Sequence, residues 1–227
     1  MSAPAAGPRV FAAVPVKDLV NAKQRLVAAL PAEERRALAA AMLEDVLDAL
    51  AAVPELDVVV ITRDADALAL ARRHGARCLQ ESANRGHTEA VAFAQREAVA
   101  AGARRFLTIP GDVPCATAAE VTALCDARAP LPPPDVAFVP SLSGFGTNAA
   151  ILTPPDAMPL KFGEPSFDNH LDAARARGLS PRILRLPGIG LDVDAPEDLP
   201  LLLTRGASTR SAALLRRLGV PARLGIA

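Results

Sequence analysis

Aromatic side chains are scarce in this chain of 227 residues. Trp and Tyr are absent, and seven Phe residues make up the aromatic share of 3%. Proteins that hold single-stranded nucleic acid stack successive bases on aromatic side chains. The composition therefore argues against a binder of single strands.

Cysteine is also sparse, with only Cys78, Cys115 and Cys125 in the chain. An odd number of cysteines without C-x-x-C spacing argues against a disulfide framework and against a zinc site. We expect these thiols to be buried or idle.

Net charge and long apolar runs are absent as well. The chain has 25 basic and 25 acidic side chains, so no overall field attracts nucleic acid or a membrane surface. No stretch of 18 apolar residues occurs, and Met1 to Pro8 lacks the basic and apolar regions of a signal peptide. We expect a cytoplasmic protein without nucleic-acid or membrane partners, present as a monomer or homodimer.

Short apolar runs alternate with helical patterns in the first half of the chain. The runs that predict strands are Arg9 to Val14, Asp57 to Thr62, Arg77 to Leu79 and Arg105 to Ile109. The helical patterns are Ala32 to Ala52, Asp64 to His74, Glu89 to Ala101, and one that continues to about Arg128. This last helix begins with Thr117 and Glu120 at the spacing of a capping box. The β-α order predicts a parallel sheet with right-handed crossovers.

The alternation ends at the proline-rich segment Pro130 to Pro134. Val136 to Pro140 and Ala149 to Thr153 then predict two strands, joined as an antiparallel hairpin or flanking a binding loop. The remaining predicted elements are a helix at Phe167 to Arg177, a strand at Ile183 to Leu186, and helices at Glu197 to Arg205 and Ser208 to Leu218. The length and the hydrophobic share of 51% allow one domain with a parallel half and a mixed half.

Three aspartates form the first candidate site. Asp112 ends a predicted strand, and Asp192 and Asp194 alternate along an extended segment, so both point to the same side. Carboxylates brought together need a cation between them, and their hard oxygens suit magnesium. The alternative is structural, since Asp194 and Glu197 have capping-box spacing and Asp112 could cap a turn.

Three cations form the second candidate site. Lys17, Lys23 and Arg25 follow the first predicted strand, where a triphosphate could be held by point charges and a guanidinium. Neither G-x-x-x-x-G-K-[ST] nor G-x-G-x-x-G occurs in the chain. The alternative is a solvated basic face.

Two loops of small residues could bind an anion. Gly144 to Asn148 and Phe162 to Ser166 offer unobstructed backbone N–H groups, hydroxyls and a following helix start, although two ordinary turns would look the same. Among the histidines, His74 is expected to be structural, and His170 lies within a predicted helix. His87, in the turn before a helix, is the one worth testing for function.

Five motifs occur together in order. They are Val14-Pro15-Val16-Lys17 with Ala22-Lys23-Gln24-Arg25-Leu26, Gly111-Asp112-Val113-Pro114, Gly146-Thr147-Asn148, Phe162-Gly163 with Ser166-Phe167, and Leu191-Asp192-Val193-Asp194-Ala195-Pro196-Glu197-Asp198-Leu199. In this order the chain resembles the 2-phospho-L-lactate/phosphoenolpyruvate guanylyltransferases of coenzyme F-420 biosynthesis. The resemblance spans about Val10 to Leu203.

The resemblance implies a fold and a reaction. The fold is that of nucleotide-diphospho-sugar transferases (GT-A-like, Rossmann-like), a three-layer α/β sandwich with a mostly parallel, mixed central sheet. The reaction is a magnesium-dependent transfer of GMP from GTP onto the phosphate of 2-phospho-L-lactate, phosphoenolpyruvate or 3-phosphoglycerate, with release of pyrophosphate. Residues 1–227 would form one nucleotidyltransferase domain, with a nucleotide-binding half at 9–128, an acceptor-binding half at 135–205 and a C-terminal helix at 206–227.

The resemblance also assigns roles by motif. Magnesium would be held by Asp112, Asp192 and Asp194. The phospho-acid would be held by Thr147, Asn148, Gly163 and Ser166. The nucleotide would contact Pro15, Lys17, Lys23, Arg25, Gly86, His87 and Thr88. The residues expected to be catalytic are Lys17, Lys23, Arg25 and Asp112.

Two segments differ from the usual pattern of this family. Phe145 replaces a glycine of a Gly-Gly-Gly-Thr-Asn stretch, and Gly86-His87-Thr88 stands where Gly-Leu-Asn is usual. The first difference leaves the acceptor open and the second leaves the preferred base open. A transferase of the same fold with another nucleotide or acceptor, or a nucleotide-binding relative without turnover, are the alternatives.

Overall fold

A seven-stranded sheet forms the centre of the computed structural model, which describes residues 10–19, 22–83, 85–126 and 134–225. Its strands are β1 (Val10–Pro15), β2 (Leu56–Ile61), β3 (Arg77–Leu79), β4 (Arg105–Thr108), β5 (Asp135–Pro140), β6 (Thr147–Thr153) and β7 (Arg182–Ile183). Their order across the sheet is β3-β2-β1-β4-β6-β5-β7.

Eight α-helices accompany these strands in the described parts of the chain. They are α1 (Ala32–Ala51), α2 (Ala65–Arg73), α3 (His87–Ala100), α4 (Ala118–Asp126), α5 (Ser166–Arg175), α6 (Asp198–Arg205), α7 (Arg210–Arg217) and α8 (Val220–Arg223). A short 3-10 helix, Gln24–Leu26, lies between β1 and α1. None of the helices in these parts has the length and apolarity that a membrane crossing requires.

The strand directions confirm the predicted change from a parallel to a mixed sheet. β1 pairs in parallel with both β2 and β4, and β2 pairs in parallel with β3. β6 is antiparallel to β4 and to β5, and β5 is parallel to β7. The second strand of the predicted hairpin, β6, therefore lies between β4 and β5 in the sheet.

Apolar side chains cover both faces of the sheet. β1 shows the alternation directly: Val10, Ala12 and Val14 belong to the core on one face, while Phe11 and Ala13 belong to the core on the other. The first core includes residues of α1, α2 and α4, and the second includes residues of α3 and α5. These layers form the α/β sandwich that the sequence predicts.

The strand order creates a crevice between β1 and β4. The chain goes from β1 outward to β2 and β3, and then returns to the other side of β1 as β4. At such a switch point the loops after the two strands diverge, and ligands of open α/β sheets bind there. The cationic loop after β1 and the Gly111-Asp112 segment after β4 therefore meet at this crevice.

Several predicted elements differ from the structure. The strand expected at Ile183 to Leu186 is only β7, a pair of residues. The segment expected as one C-terminal helix is split into α7 and α8 at Gly219, whose φ of +68° ends the first helix. Most of the predicted proline break and the predicted helix end at Arg128 lie outside the described residues.

The capping box predicted for α4 is only half formed. The backbone N–H of Glu120 does bond the Thr117 hydroxyl, at 3.2 Å. The Glu120 carboxylate, however, accepts from the backbone N–H groups of Gly188 and Ile189, at 2.8 and 3.2 Å. The Glu120 carboxylate thus bonds the segment 188–189, which leads to Asp192 and Asp194, and in the part of the chain that is described it does not bond the backbone of Thr117.

A buried carboxylate fixes the C-terminal helices to the sandwich. Asp45 of α1 accepts from the backbone N–H groups of Arg210 and Ser211, at 2.7 and 3.0 Å, and from the Ser211 hydroxyl at 2.6 Å. These are the unpaired donors of the first turn of α7, and a carboxylate also complements the helix dipole there. Asp45 thus caps a helix that lies more than 160 residues further along the chain.

Replacing Asp45→Ala should lower the free energy of unfolding by about 2 kcal/mol, because buried donors of α7 lose their acceptor. Urea unfolding measures the loss. The matched control is Asp48→Ala, one turn later on α1, which removes the surface contacts of that carboxylate with Arg210 and with His74 Nδ1 and should cost below about 1 kcal/mol. Equal losses in the two variants would contradict the capping role.

Candidate active site

Lys23 lies between two carboxylates at the crevice. Its Nζ is 2.7 Å from Asp112 Oδ2 and 2.7 Å from Asp194 Oδ1, and 7% of its side chain is exposed. The backbone of Lys23 has φ 57° and ψ 44°, and it is the only residue other than glycine with positive φ in the described ranges. A left-handed conformation costs a residue with a Cβ about 1 kcal/mol, so the fold pays to aim this ammonium at the carboxylates.

Backbone contacts bring the two aspartates together from distant parts of the chain. The carbonyl of Asp112 accepts from the Val193 N–H at 3.1 Å, which aligns the segment after β4 with the segment that carries Asp194. Gly188 permits this approach, because a Cβ there would lie 2.2 Å from the Cys115 carbonyl oxygen. The alternative of an Asp194–Glu197 capping box is wrong, since the Asp194 carboxylate bonds Lys23, and the Asp194 N–H donates to the carboxylate of Asp198.

The ion pairs set the charge states of this cluster. Burial disfavours the charged form of Lys23, but Asp112 and Asp194 outweigh burial and raise the pKa of the ammonium. Burial likewise disfavours the charged form of Asp112, and the Lys23 ammonium outweighs it and lowers the pKa of that carboxyl. Lys23 and Asp112 are therefore both charged at neutral pH.

Asp192, the third predicted aspartate, has a different partner. Its Oδ1 accepts from Asn148 Nδ2 at 3.0 Å, and the same amide donates to the carbonyls of Ile189 and Gly190. Burial raises the pKa of Asp192, and the nearby charges of Asp112 and Asp194 raise it further. Asn148, which was predicted to bind the phospho-acid, thus uses its amide to position Asp192.

The described residues contain no group of three or more His, Cys, Asp or Glu side chains arranged to hold a metal ion. The Lys23 ammonium takes the position between two of the predicted ligands. Asp112 and Asp194 nevertheless direct oxygens at one common cation, which is the donor chemistry that magnesium prefers. The residues present therefore fit a hard cation in exchange for the ammonium.

A cavity of about 460 Å³ opens beside the ion-pair cluster. The predicted site residues on its wall are Pro15, Lys17, Lys23, His87, Asp112 and Asp194. Apolar side chains of α1, such as Met42 and Leu43, form part of the floor. The volume is within the range of small-molecule sites. Arg25 is exposed on the 3-10 helix, and neither it nor Gly86, Thr88 and Asp192 is among the lining residues.

The predicted acceptor residues form a second group next to this cavity. The Thr147 N–H donates to the Ser166 hydroxyl at 2.9 Å, which links the start of β6 to the start of α5. Gly163, with φ +113°, provides the sharp turn between them that residues with a side chain rarely adopt. The neighbouring Phe145 is 60% exposed, and its carbonyl accepts from the Phe167 N–H.

Thr88 and His87 join the two groups. Thr88, predicted as a nucleotide contact, uses its hydroxyl on the backbone of Phe162, accepting from the N–H at 3.0 Å and donating to the carbonyl at 3.3 Å. The ring of His87 meets the Phe162 ring edge-on at a centroid distance of 4.4 Å. The start of α3 is therefore bonded directly to the acceptor loop.

Sequence reasoning missed one residue of the site. The sequence places His170 only within a predicted helix, whereas in the structure its Nδ1 is 2.9 Å from the Thr147 hydroxyl and its Nε2 accepts from the Lys161 N–H at 2.9 Å. The ring is 1% exposed, and burial lowers its pKa to about 4. Its position, one helical turn after Ser166 on the same face, was the available signal.

A family model described as guanylyl transferase CofC like matches residues 10–224. A phosphoenolpyruvate guanylyltransferase of Sphaerobacter thermophilus is 41% identical over 83% of this chain and 90% of that protein. A 2-phospho-L-lactate guanylyltransferase of Methanothermobacter thermautotrophicus is 37% identical over 92% of this chain and 91% of that protein.

Solved structures with similar folds include nucleotidyltransferases. A nucleotidyl transferase from Methanothermobacter superposes with a TM-score of 0.62 at 16% identity, covering 93% of this chain and 100% of that chain. A CMP:2-keto-3-deoxy-manno-octonic acid synthetase, solved with CTP, gives a TM-score of 0.59 at 13% identity, covering 88% of this chain and 99% of that chain. At these identities the likeness shows the fold alone.

The depressed pKa of His170 makes stability depend on pH. The folded state keeps this ring neutral down to about pH 4, whereas the unfolded ring takes up a proton below about pH 6.5. Acid therefore stabilises the unfolded state, and the free energy of unfolding should fall by about 3 kcal/mol between these pH values. The measurement is urea unfolding across the range, with His170→Gln as the control that lacks this part of the loss. Parallel curves for the two proteins would contradict the assignment.

Proposed function

The chain belongs to the family of CofC-like guanylyl transferases, and on that premise we propose that it transfers GMP from GTP to the phosphate of a small phospho-acid. Pyrophosphate is the other product. The acceptors that we propose are 2-phospho-L-lactate, phosphoenolpyruvate and 3-phosphoglycerate, in the biosynthesis of coenzyme F-420. The observation that carries the proposal is the Lys23–Asp112–Asp194 cluster at the switch point of the sheet.

The nucleotide phosphates lie, in this proposal, against the loop after β1. Lys17 is exposed on the cavity wall and Lys23 is beside it, so both cations can face a triphosphate. Arg25 follows on the 3-10 helix, with Pro15 at the end of β1 below the phosphates. Gly86 and His87 bring the start of α3 to the same cavity, since His87 lines it.

Magnesium fits the aspartate cluster as a proposed cofactor. Asp112 and Asp194 already share one cation, and Asp192 is close enough for their charges to raise its pKa. We propose that these three carboxylates hold Mg²⁺, which when bound supplies positive charge to the phosphates of GTP. Lys23 then leaves the carboxylates and serves the nucleotide.

The chemistry requires alignment more than a strong base. An oxygen of the acceptor phosphate attacks the α-phosphorus of GTP, a new phosphoanhydride bond forms, and the bond to the β-phosphate oxygen breaks as pyrophosphate leaves. A phosphate monoester has its second pKa near 6, so the attacking oxygen is already anionic at neutral pH. Cations beside the α-phosphate neutralise its charge, and a fixed acceptor aligns the attacking oxygen, so these two effects can account for the rate of GMP transfer.

Thr147, Gly163 and Ser166 hold the acceptor in this proposal. Two hydroxyls and the backbone at the start of α5 offer hydrogen bonds to an anionic group. The exposed Phe145 lies two residues before Thr147, at the position where the family pattern described above has glycine. This ring supports a second candidate function, namely a transferase of the same fold whose acceptor carries an apolar group.

Pyrophosphate release tests the proposed reaction. With GTP, magnesium and one of the three phospho-acids, the wild-type protein should release pyrophosphate, and Asp112→Asn should reduce the rate at least about a hundredfold, because it removes a charge from the cluster. The matched control is Asp172→Asn, an exposed carboxylate on α5, which should keep the wild-type rate. If no pair of nucleotide and acceptor gives pyrophosphate release above the rate of Asp112→Asn, the proposed transferase reaction is refuted.

Exchange of Lys23 for a metal ion is tested separately. In Lys23→Met the two carboxylates lose their counter-ion, so we expect Mn²⁺ without nucleotide to bind about tenfold more tightly, while GMP transfer falls. Calorimetry gives the affinity. Lys17→Met makes the same change of charge, but Lys17 has no ion pair with the aspartates among the described residues, so its Mn²⁺ affinity should stay near wild type. Unchanged affinity in Lys23→Met would mean that the metal binds elsewhere.

A further inference from the structure

His170 is a buried ring held between aromatic side chains and two hydrogen-bond partners. It stacks on Phe138 at a centroid distance of 5.4 Å and meets the Phe162 ring edge-on at 5.1 Å. Neutral imidazole has one nitrogen that donates and one that accepts. The position of each partner therefore decides which nitrogen carries the proton.

The Lys161 backbone removes the ambiguity. A backbone N–H can only donate, and it points at Nε2 of His170 at 2.9 Å, so Nε2 accepts and carries no proton. The proton is then on Nδ1, and it is donated to the Thr147 hydroxyl oxygen at 2.9 Å. Thr147 cannot donate in return, because a neutral ring would then have no proton at all.

The Thr147 hydroxyl consequently has a proton left to give. Within the described residues no acceptor is bonded to that proton. The same logic applies to Ser166, whose hydroxyl oxygen accepts from the Thr147 N–H and whose own proton has no acceptor there either. The two residues are 7% and 3% exposed, so two nearly buried donors lie side by side without acceptors.

We propose that His170 is a positioning residue that, as the Nδ1-protonated tautomer, turns the Thr147 hydroxyl into a hydrogen-bond donor for the anionic acceptor. The role rests on the proposed function, since it assigns the acceptor to this pair of hydroxyls. His170 does not touch the substrate. Its Nδ1–H occupies one lone pair of the Thr147 oxygen and leaves the hydroxyl proton for the ligand, which favours a carboxylate or phosphate oxygen as the bound group.

Two amide variants separate the two hydrogen bonds of the ring. His170→Asn places an amide N–H near the position of Nδ1 and keeps the donor to Thr147, but it cannot reach Lys161. His170→Gln reaches the Lys161 N–H with its oxygen and loses the donor to Thr147. A merely structural role would make the variants follow the stability of the loop, whereas the proposed role makes them follow the bond to Thr147.

Calorimetry with phosphoenolpyruvate, in the presence of GTP and calcium to prevent turnover, should show about tenfold weaker acceptor binding by His170→Gln and a smaller loss by His170→Asn. Affinity for GTP alone should not change in either variant. In a Thr147→Val background the His170→Gln change should have no further effect, because the hydroxyl that it positions is gone. Thermal unfolding identifies variants that fail to fold.

The outcomes distinguish this inference from the proposed reaction. Wild-type transfer of GMP together with equal acceptor affinities in the wild type and both variants would overturn the role of His170 and leave the transferase standing. Acceptor binding that follows the predicted order without pyrophosphate release by the wild type would support His170 and overturn the transferase. Additive losses in the Thr147→Val background would also overturn the positioning role, and so would failure of the wild type to bind the probe.

Discussion

The Lys23 ammonium is the cation on which the arrangement of this site depends. Asp112 follows β4, and Asp194 lies some 80 residues further along the chain. Because both side chains are negatively charged, they can lie close together only if a positive charge lies between them. The ammonium supplies that charge, at the cost of a left-handed backbone. Two further hydrogen bonds hold the same segments in place. The Val193 N–H donates to the Asp112 carbonyl, and the Asn148 amide donates to Asp192.

The residues that hold the aspartate segments in place are not themselves candidate catalytic residues. Glu120 holds the segment 188–189 by its backbone, and Gly188 has no room for a side chain. Asp45 ties α7 to α1. The precision of the cluster is therefore distributed over α1, α4 and the C-terminal helices.

The parallel half of the fold could be predicted from the sequence because its strands are buried on both faces and its helices keep a regular spacing. The meeting of Asp112 with Lys17 and Lys23 at one cavity followed, since strand ends of a parallel sheet meet at one edge, whereas Arg25 does not line that cavity. The contact of Lys23 with both carboxylates could not be predicted, because it depends on a single unusual φ value. His170 was missed for a related reason: a histidine inside a helix gives no sign of its tautomer until the backbone N–H that faces it is known.

The strained backbone at Lys23 has a consequence for anyone who seeks a more heat-resistant form of this chain. Glycine or asparagine at position 23 would relieve the left-handed conformation, and such replacements are a common route to extra stability. Either one would also leave the carboxylates of Asp112 and Asp194 without the ammonium that lies between them. Removing one partner of a largely buried ion pair costs more stability than a left-handed backbone does. A design rule that replaces every left-handed residue with glycine or asparagine would therefore lower the melting temperature at this position, although the dihedral angle alone marks it as a site for improvement.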